Sequence, residues 1–228
     1  MATVLITGVN RGIGLGLLEA YLKRNAKVIG SARDIGDVKR RHAHEISAGR
    51  LRVLSMDVTV SDSIAAAARS VDEPIDILIN NAGVVGPKHQ STLDMDFAGF
   101  AHTFEVNTLG PLRVAQAFLP HLKRGRMAKI VTISSGMGSM SYASSDRIAY
   151  RASKAAVNKV MQGLSTDLKP FRIAVASIHP GWVRSDMGGS SADITVEESA
   201  KGIISVIDRL TPETTGRFFD WNGAQRPW

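Results

Sequence analysis

The 228-residue sequence contains no cysteine. Disulfides, a thiolate nucleophile and any cysteine-ligated metal or redox centre are therefore excluded. Histidine is scarce too, and its six positions (42, 44, 89, 102, 121 and 179) form no metal-ligand spacing. His42 and His44 are expected on an exposed helix, and His179 at the end of a buried strand in a structural role. Aromatic residues make up only 6% of the chain. None interleaves with the two basic clusters, Lys39-Arg40-Arg41-His42 and Lys123-Arg124-Gly125-Arg126, so nothing there is built to stack on bases. The formal charge of +7 is read as a solvated cationic surface that attracts polyanionic small molecules, with no nucleic-acid partner. No apolar run approaches the roughly 20 residues needed to span a bilayer. The opening MATVLITGVN lacks the basic and apolar segments of a secretory signal, so a cytoplasmic location without membrane contact is expected. The serine-hydrolase elbow G-x-S-x-G is also missing.

What recurs is a short β-branched apolar run followed by a longer amphipathic stretch. Residues 2–7, 27–32, 51–55, 75–80, 129–134 and 171–178 read as strands, with a short seventh at 217–220. Helical patterns fall at 13–24, 34–47 and 64–71, and another begins at the capping box Thr195/Glu198. Alternation of this kind predicts one α/β domain of Rossmann type, a doubly wound parallel sheet of about seven strands with helices on both faces. Its cofactor half is expected over about residues 1–105 and its catalytic and substrate half over about 106–228. Ligands of such sheets bind beyond the carboxyl ends of the strands.

The motifs fall at those ends. Thr7-Gly8-Val9-Asn10-Arg11-Gly12-Ile13-Gly14 follows the first strand and opens a helix, where glycines let backbone amides approach a pyrophosphate. The spacing is G-x-x-x-G-x-G rather than G-x-G-x-x-G. Tyr150 and Lys154 are four apart and share a helix face. An ammonium beside a phenol favours tyrosinate and lowers a pKa that is otherwise near 10. A lone Y-x-x-x-K is usually a buried tyrosine beside a surface lysine. Here Ala149, Ala152, Ser153, Ala155 and Ala156 leave room around the pair for another molecule.

Asp57-Val58-Thr59, Asn80-Asn81-Ala82-Gly83, Asn107, Ser134-Ser135 and Pro180-Gly181 complete an ordered series. In this order and spacing the chain resembles the short-chain dehydrogenase/reductase family over nearly its whole length. The stretches YRASKAAVN (150–158), HPGWVRSDMGG (179–189) and FFDWNGAQRPW look most like its C-factor-like and sniffer-like carbonyl reductase branch. The resemblance implies a hydride exchange between a nicotinamide and a carbonyl or alcohol carbon. It makes Tyr150 the general acid or base, Lys154 the holder of the ribose hydroxyls and Ser135 a hydrogen-bond partner of the reacting oxygen. Asn107 would hold a water leading from Lys154 to solvent. Ser134 competes for the serine role, and strand alternation does not separate the two; the family pattern aligns the second serine. The resemblance also implies cofactor contacts from Gly8, Asn10, Arg11, Gly12, Ile13 and Gly14, and from Asp57, Val58, Asn80, Ala82 and Gly83. Pro180, Gly181, Val183 and Ser185 would close the nicotinamide end. It further suggests a homodimer or homotetramer.

The second strand ends Ala32-Arg33-Asp34. An acid there selects NAD and an arginine the 2′-phosphate of NADP. Arg33, with Arg11 on the same side, points to NADP, with NAD less favoured. Asp34 is expected to cap the next helix. The 15-residue step from Ser135 to Tyr150 suggests a short insertion around 142–146 that lines the site. Between Ser185 and the capping box only residues 186–194 remain, too few for a helical lid. Their glycines and serines predict a flexible, open substrate side. The expected activity is that of a ketone or aldehyde reductase on a small carbonyl or alcohol. The alternative is a nucleotide-binding signalling or regulatory protein on the same scaffold.

Overall fold

The computed structural model describes residues 1–141 and 143–228. Seven parallel strands form the main sheet: β1 (Thr3–Thr7), β2 (Lys27–Ala32), β3 (Leu51–Ser55), β4 (Ile77–Asn80), β7 (Lys129–Ile133), β8 (Ala174–His179) and β9 (Arg217–Asp220). A two-stranded antiparallel hairpin, β5 (Gln90–Ser91) and β6 (Asp94–Met95), stands apart from it. The helices are α1 (Gly12–Lys23), α2 (Gly36–Arg41), α3 (Ala43–Ser47), α4 (Ser61–Arg69), α5 (Phe97–Phe104), α6 (Gly110–Ala117), α7 (Leu119–Leu122), α8 (Ile148–Asp167) and α9 (Val196–Arg209).

The order across the sheet is β3-β2-β1-β4-β7-β8-β9. The chain winds outward from β1 to β3, then returns to β4 on the other side of β1. The gap beyond the carboxyl ends of β1 and β4 is thus the topological switch point, where such sheets bind ligands. Both sheet faces are covered, as the apolar runs require. Val4, Ile6, Val131 and Ile133 pack with Leu17, Leu18, Ile203 and Ile207 of α1 and α9. Leu5, Leu78 and Ile130 face the other way, onto Ile64, Val114, Phe118, Val157 and Met161.

The structure departs from the sequence expectations in several places. The strand expected from residue 171 starts at Ala174, because Lys169–Phe171 form a 3-10 turn and Arg172 adopts φ 54°. The helix expected over 34–47 breaks at His42 into α2 and α3. His42 is buried there, with Glu19 and Glu45 each 3.9 Å away, whereas His44 is exposed as expected. Asp34 is not the N-cap; Ile35 occupies that position, and the Asp34 carboxylate accepts from the Gly36 amide at 2.9 Å. Residues Glu105–Leu109 widen into a π-turn between α5 and α6. Pro111 has no N–H to give the carbonyl four residues back, which is that of Asn107, so the α pattern fails at this point.

Candidate active site

A cleft of about 380 Å³ opens at the switch point. Of the sequence-identified residues, Gly8, Asn10, Arg11, Gly12, Ile13 and Arg33 line it, together with Asp57, Val58, Ala82 and Gly83. Tyr150, Lys154, Pro180 and Ser185 close the far end. A second depression of about 530 Å³, lined by Thr3, Asp76, Arg124 and Lys129, lies at the amino ends of the central strands β1, β4 and β7 and holds none of the motif residues.

The remaining candidates sit behind the walls. A Cβ on Gly14 would lie 2.1 Å from the Gly8 carbonyl oxygen, so glycine there serves the close packing of α1 under the loop. Asn80 is buried and donates weakly to the Pro111 carbonyl at 3.4 Å. The wall residue is its neighbour Asn81, which the motif contained but the reading passed over. Its amide donates to the carbonyls of Thr7 and Gly8 at 2.9 and 3.1 Å. The Thr7 hydroxyl in turn accepts from the backbone amides of Asn81 and Ala82, both at 3.0 Å. The ends of β1 and β4 are thereby tied into one rigid rim. Gly181 packs against Ile194 and Trp221, and Val183 is buried in a bridge to Ile194.

Gly12 faces the opening, where an added Cβ would meet only Ser185 across it, 3.9 Å away. Arg11 precedes α1 as its N-cap without a side-chain cap, so the first amides of α1 are left to other partners. The guanidinium of Arg11 does not stand beside Arg33 as an independent cation. It pairs with Asp186 at 2.5 Å. Arg33 instead acts on Asp57. Burial alone would raise the Asp57 carboxyl, but bonds from the Thr59 amide (2.8 Å) and hydroxyl (2.7 Å), with the charges of Arg33 and His102, hold it below its usual range. His102 of α5 also lines this end of the cleft, and no sequence motif marked it.

At the other end the serine pair divides in two respects: Ser134 lines the cleft and Ser135 does not, whereas Ser135 is the one that acts on Tyr150. The Ser134 hydroxyl donates to Asn158 at 2.7 Å, turned inward. The Ser135 hydroxyl accepts from the Met137 amide at 3.1 Å and acts on the Tyr150 phenol as a hydrogen-bonding neighbour that favours its ionised form. Burial pushes the phenol up, opposed by that neighbour and by the charge of Arg147. The expected lowering by Lys154 is not among the influences; its Nζ stands 5.7 Å from the Tyr150 ring centroid and donates to the Ile133 carbonyl at 2.8 Å. Burial lowers the Lys154 ammonium to about 8. Asn107 is buried behind Gly83 and grips Val84 in both directions, accepting from its amide at 2.9 Å and donating to its carbonyl at 2.8 Å. Its second N–H goes to the Ser153 hydroxyl at 3.0 Å.

The segment 186–194 carries no helix, as expected, but it is not loose. The Arg184 amide donates to the Ile194 carbonyl at 2.8 Å and the Ile194 amide to the Trp182 carbonyl at 3.1 Å, and the Trp182 indole donates to the Gly188 carbonyl at 2.8 Å. The Ser185 hydroxyl donates to the Val183 carbonyl and accepts from the Gly188 amide, both at 3.2 Å. Of the expected insertion, Tyr142 lies outside the described residues; Asp146 pairs with Arg151 at 2.6 Å and does not line the cleft.

This sheet, cleft and residue set define a dinucleotide-binding oxidoreductase scaffold. The model of the short chain dehydrogenase family matches residues 2–194, and the chain belongs to that family. It is 46% identical to the C-signal of Myxococcus xanthus over 157 residues, which are 68% of this chain and 93% of that one. It is 34% identical to the 1-hydroxy-2-glutathionyl-2-methyl-3-butene dehydrogenase of Rhodococcus sp. (strain AD45), with both chains fully covered. Among solved structures, the NADPH-bound carbonyl reductase from chicken fatty liver superposes with TM-score 0.91 at 32% identity, over 100% of this chain and 99% of that one. The carbonyl reductase Sniffer of D. melanogaster gives 0.92 at 32%, with both chains fully covered. No helix among the described residues is long and apolar enough to cross a membrane.

Proposed function

We propose that this chain is an NADPH-dependent reductase of ketones or aldehydes. One observation carries the reading: the Tyr150 phenol is buried with Lys154 at the end of a cleft whose other end is an uncapped helix N-terminus flanked by arginine. The residues fit a dinucleotide. Gly12 leaves open the space a side chain would fill, the α1 amides face anionic groups, and Arg33 supplies a cation for a 2′-phosphate. Asp57 and Val58 hold the adenine end, while Ala82, Gly83, Pro180 and Ser185 bound the nicotinamide end.

When bound, the nicotinamide supplies hydride to the carbonyl carbon. Tyr150 gives its phenolic proton to the carbonyl oxygen, and Ser135 orients that oxygen by a hydrogen bond. With its phenol raised by burial, Tyr150 is protonated at neutral pH, the form that reduction needs. Lys154, near 8, keeps most of its charge at pH 7 and takes the ribose hydroxyls. Asn107 fixes Val84 and Ser153, and its remaining Oδ1 lone pair would accept from a water leading from Lys154 to solvent. The proposal includes a cofactor half and a catalytic half in one domain, a homodimer or homotetramer, and a cytoplasmic location.

The identity to C-signal favours a second reading, a regulatory protein on this scaffold. Consumption of NADPH across a panel of ketones and aldehydes decides between them, and the same panel with NADH tests the cofactor.

A further inference from the structure

Tyr150 is the third residue of α8. The amides of a helix's first turn have no partner inside the helix and need one from outside. Arg147, at the N-cap, adopts φ 52° and offers no side-chain cap. The bond to the Tyr150 amide comes instead from 60 positions upstream, where Gln90 Oε1 accepts it at 3.1 Å in a buried setting. Gln90 is itself buried, and its amide nitrogen donates to the carbonyls of Val85 (3.2 Å) and Pro87 (2.7 Å). All of its polar atoms are therefore engaged. The Tyr150 carbonyl is held as well, by the Ser153 hydroxyl at 2.7 Å, which takes a bond from Asn107 in turn.

We infer that Gln90 is a positioning residue for Tyr150, clamping its backbone to the loop that leaves the cofactor wall. The inference rests on the proposed reductase reading for its consequence, though not for its geometry. Two side-chain amides grip this loop. Asn107 holds Val84, and Gln90 holds Val85 and Pro87 while reaching Tyr150. Gln90 is fixed in turn by the β5–β6 hairpin, where it pairs with Met95 and where His89 closes on Asp94 at 2.7 Å. A phenol that must reach a carbonyl oxygen tolerates little displacement of its backbone, because proton transfer needs hydrogen-bond distance in the reacting complex. Gln90 does not itself line the cleft and reaches it only through the Tyr150 backbone, so its loss acts on the rate more than on binding.

The test uses the full chain with Gln90→Met and Gln90→Glu. Methionine matches the volume and removes every bond. Glutamate keeps an acceptor facing the Tyr150 amide. Gln90→Met should lower kcat about tenfold, with KM for the carbonyl and Kd for NADPH within twofold of wild type. Gln90→Glu should recover only part of that loss, because it restores the acceptor at the Tyr150 amide and not the donors to the Val85 and Pro87 carbonyls. The chain has only three tyrosines, so ¹⁵N-tyrosine labelling isolates their amides. Exchange at the Tyr150 amide should be at least tenfold faster in Gln90→Met, with Tyr21 unchanged. An unchanged Tyr150 amide, a kcat within twofold of wild type, or equal losses in kcat, NADPH binding and Tm would each overturn the inference. If the wild-type protein turns over no carbonyl, the reductase reading fails alone, and amide exchange still decides whether Gln90 holds Tyr150.

Discussion

Arg11 and Asp186, 175 positions apart in sequence, meet at 2.5 Å and join the two walls of the cleft. The pair is largely solvent-exposed, so it adds little to stability. Its effect falls on anions entering the cleft, because the carboxylate occupies a guanidinium that phosphate would otherwise take. Asp186→Asn should tighten NADPH binding by up to about fivefold, as expected for an exposed charge contact of about 0.2–1 kcal/mol. Fluorescence titration at low and high salt checks this. Unchanged affinity at low salt would mean that Arg11 does not meet the cofactor's phosphates.

Arg33 is placed to discriminate between cofactors, since it lines the cleft and its charge already reaches Asp57. A charge-assisted bond to phosphate is worth about 1.5–3 kcal/mol, roughly ten- to a hundredfold in affinity. Arg33→Ala should weaken NADPH by that factor and leave NADH almost unaltered. Equal losses for both cofactors would contradict the assignment.

The acid limb of stability has a named source in His179. Burial first, and then the charge of Arg226, lower it to about 4, against the opposing pull of Asp220. Its Nδ1 has no hydrogen-bond partner among the described residues. The unfolded chain takes up this proton near pH 6.5, before the folded one does. The stability from a neutral His179 is therefore full above pH 6.5 and is lost as pH falls toward 4, by about 3 kcal/mol at the limit. Urea unfolding of wild type and His179→Gln from pH 7 to 4.5 should show a shallower decline in the variant. Parallel curves would place the acid sensitivity elsewhere.

The substrate side is bordered by a short bonded turn, with no helical lid over it. Closure is one source of specificity, so kcat/KM should fall gently across carbonyl compounds of increasing bulk. A steep cut-off at small size would show that the 186–194 segment closes as a lid does.

The sheet was legible because each buried strand is a β-branched run with its motif at the carboxyl end. The phosphate loop, Tyr150 and Lys154 come together in the cleft as their spacing implied. Chemistry set by the direction of a side chain was not legible. Nothing local separates Ser134 from Ser135; Asn158 draws the first inward and leaves the second on Tyr150. Gln90 stands in a polar loop, and its partner is 60 residues away. His102 reaches the cleft only because α5 is folded against it. The glycines and serines of 186–194 suggested mobility, yet the Trp182 indole and Ser185 hydroxyl bind that stretch, through tertiary contacts that composition does not record.

Removing only the Tyr150 hydroxyl, as Tyr150→Phe does, shows whether this phenol delivers the proton in an NADPH-dependent carbonyl reduction. NADPH consumption with the best carbonyl of a broad panel should fall by about a hundredfold or more, with Kd for NADPH within twofold of wild type. A variant that keeps the wild-type kcat, or a wild-type protein that binds NADPH and turns over no carbonyl of the panel, would contradict that role.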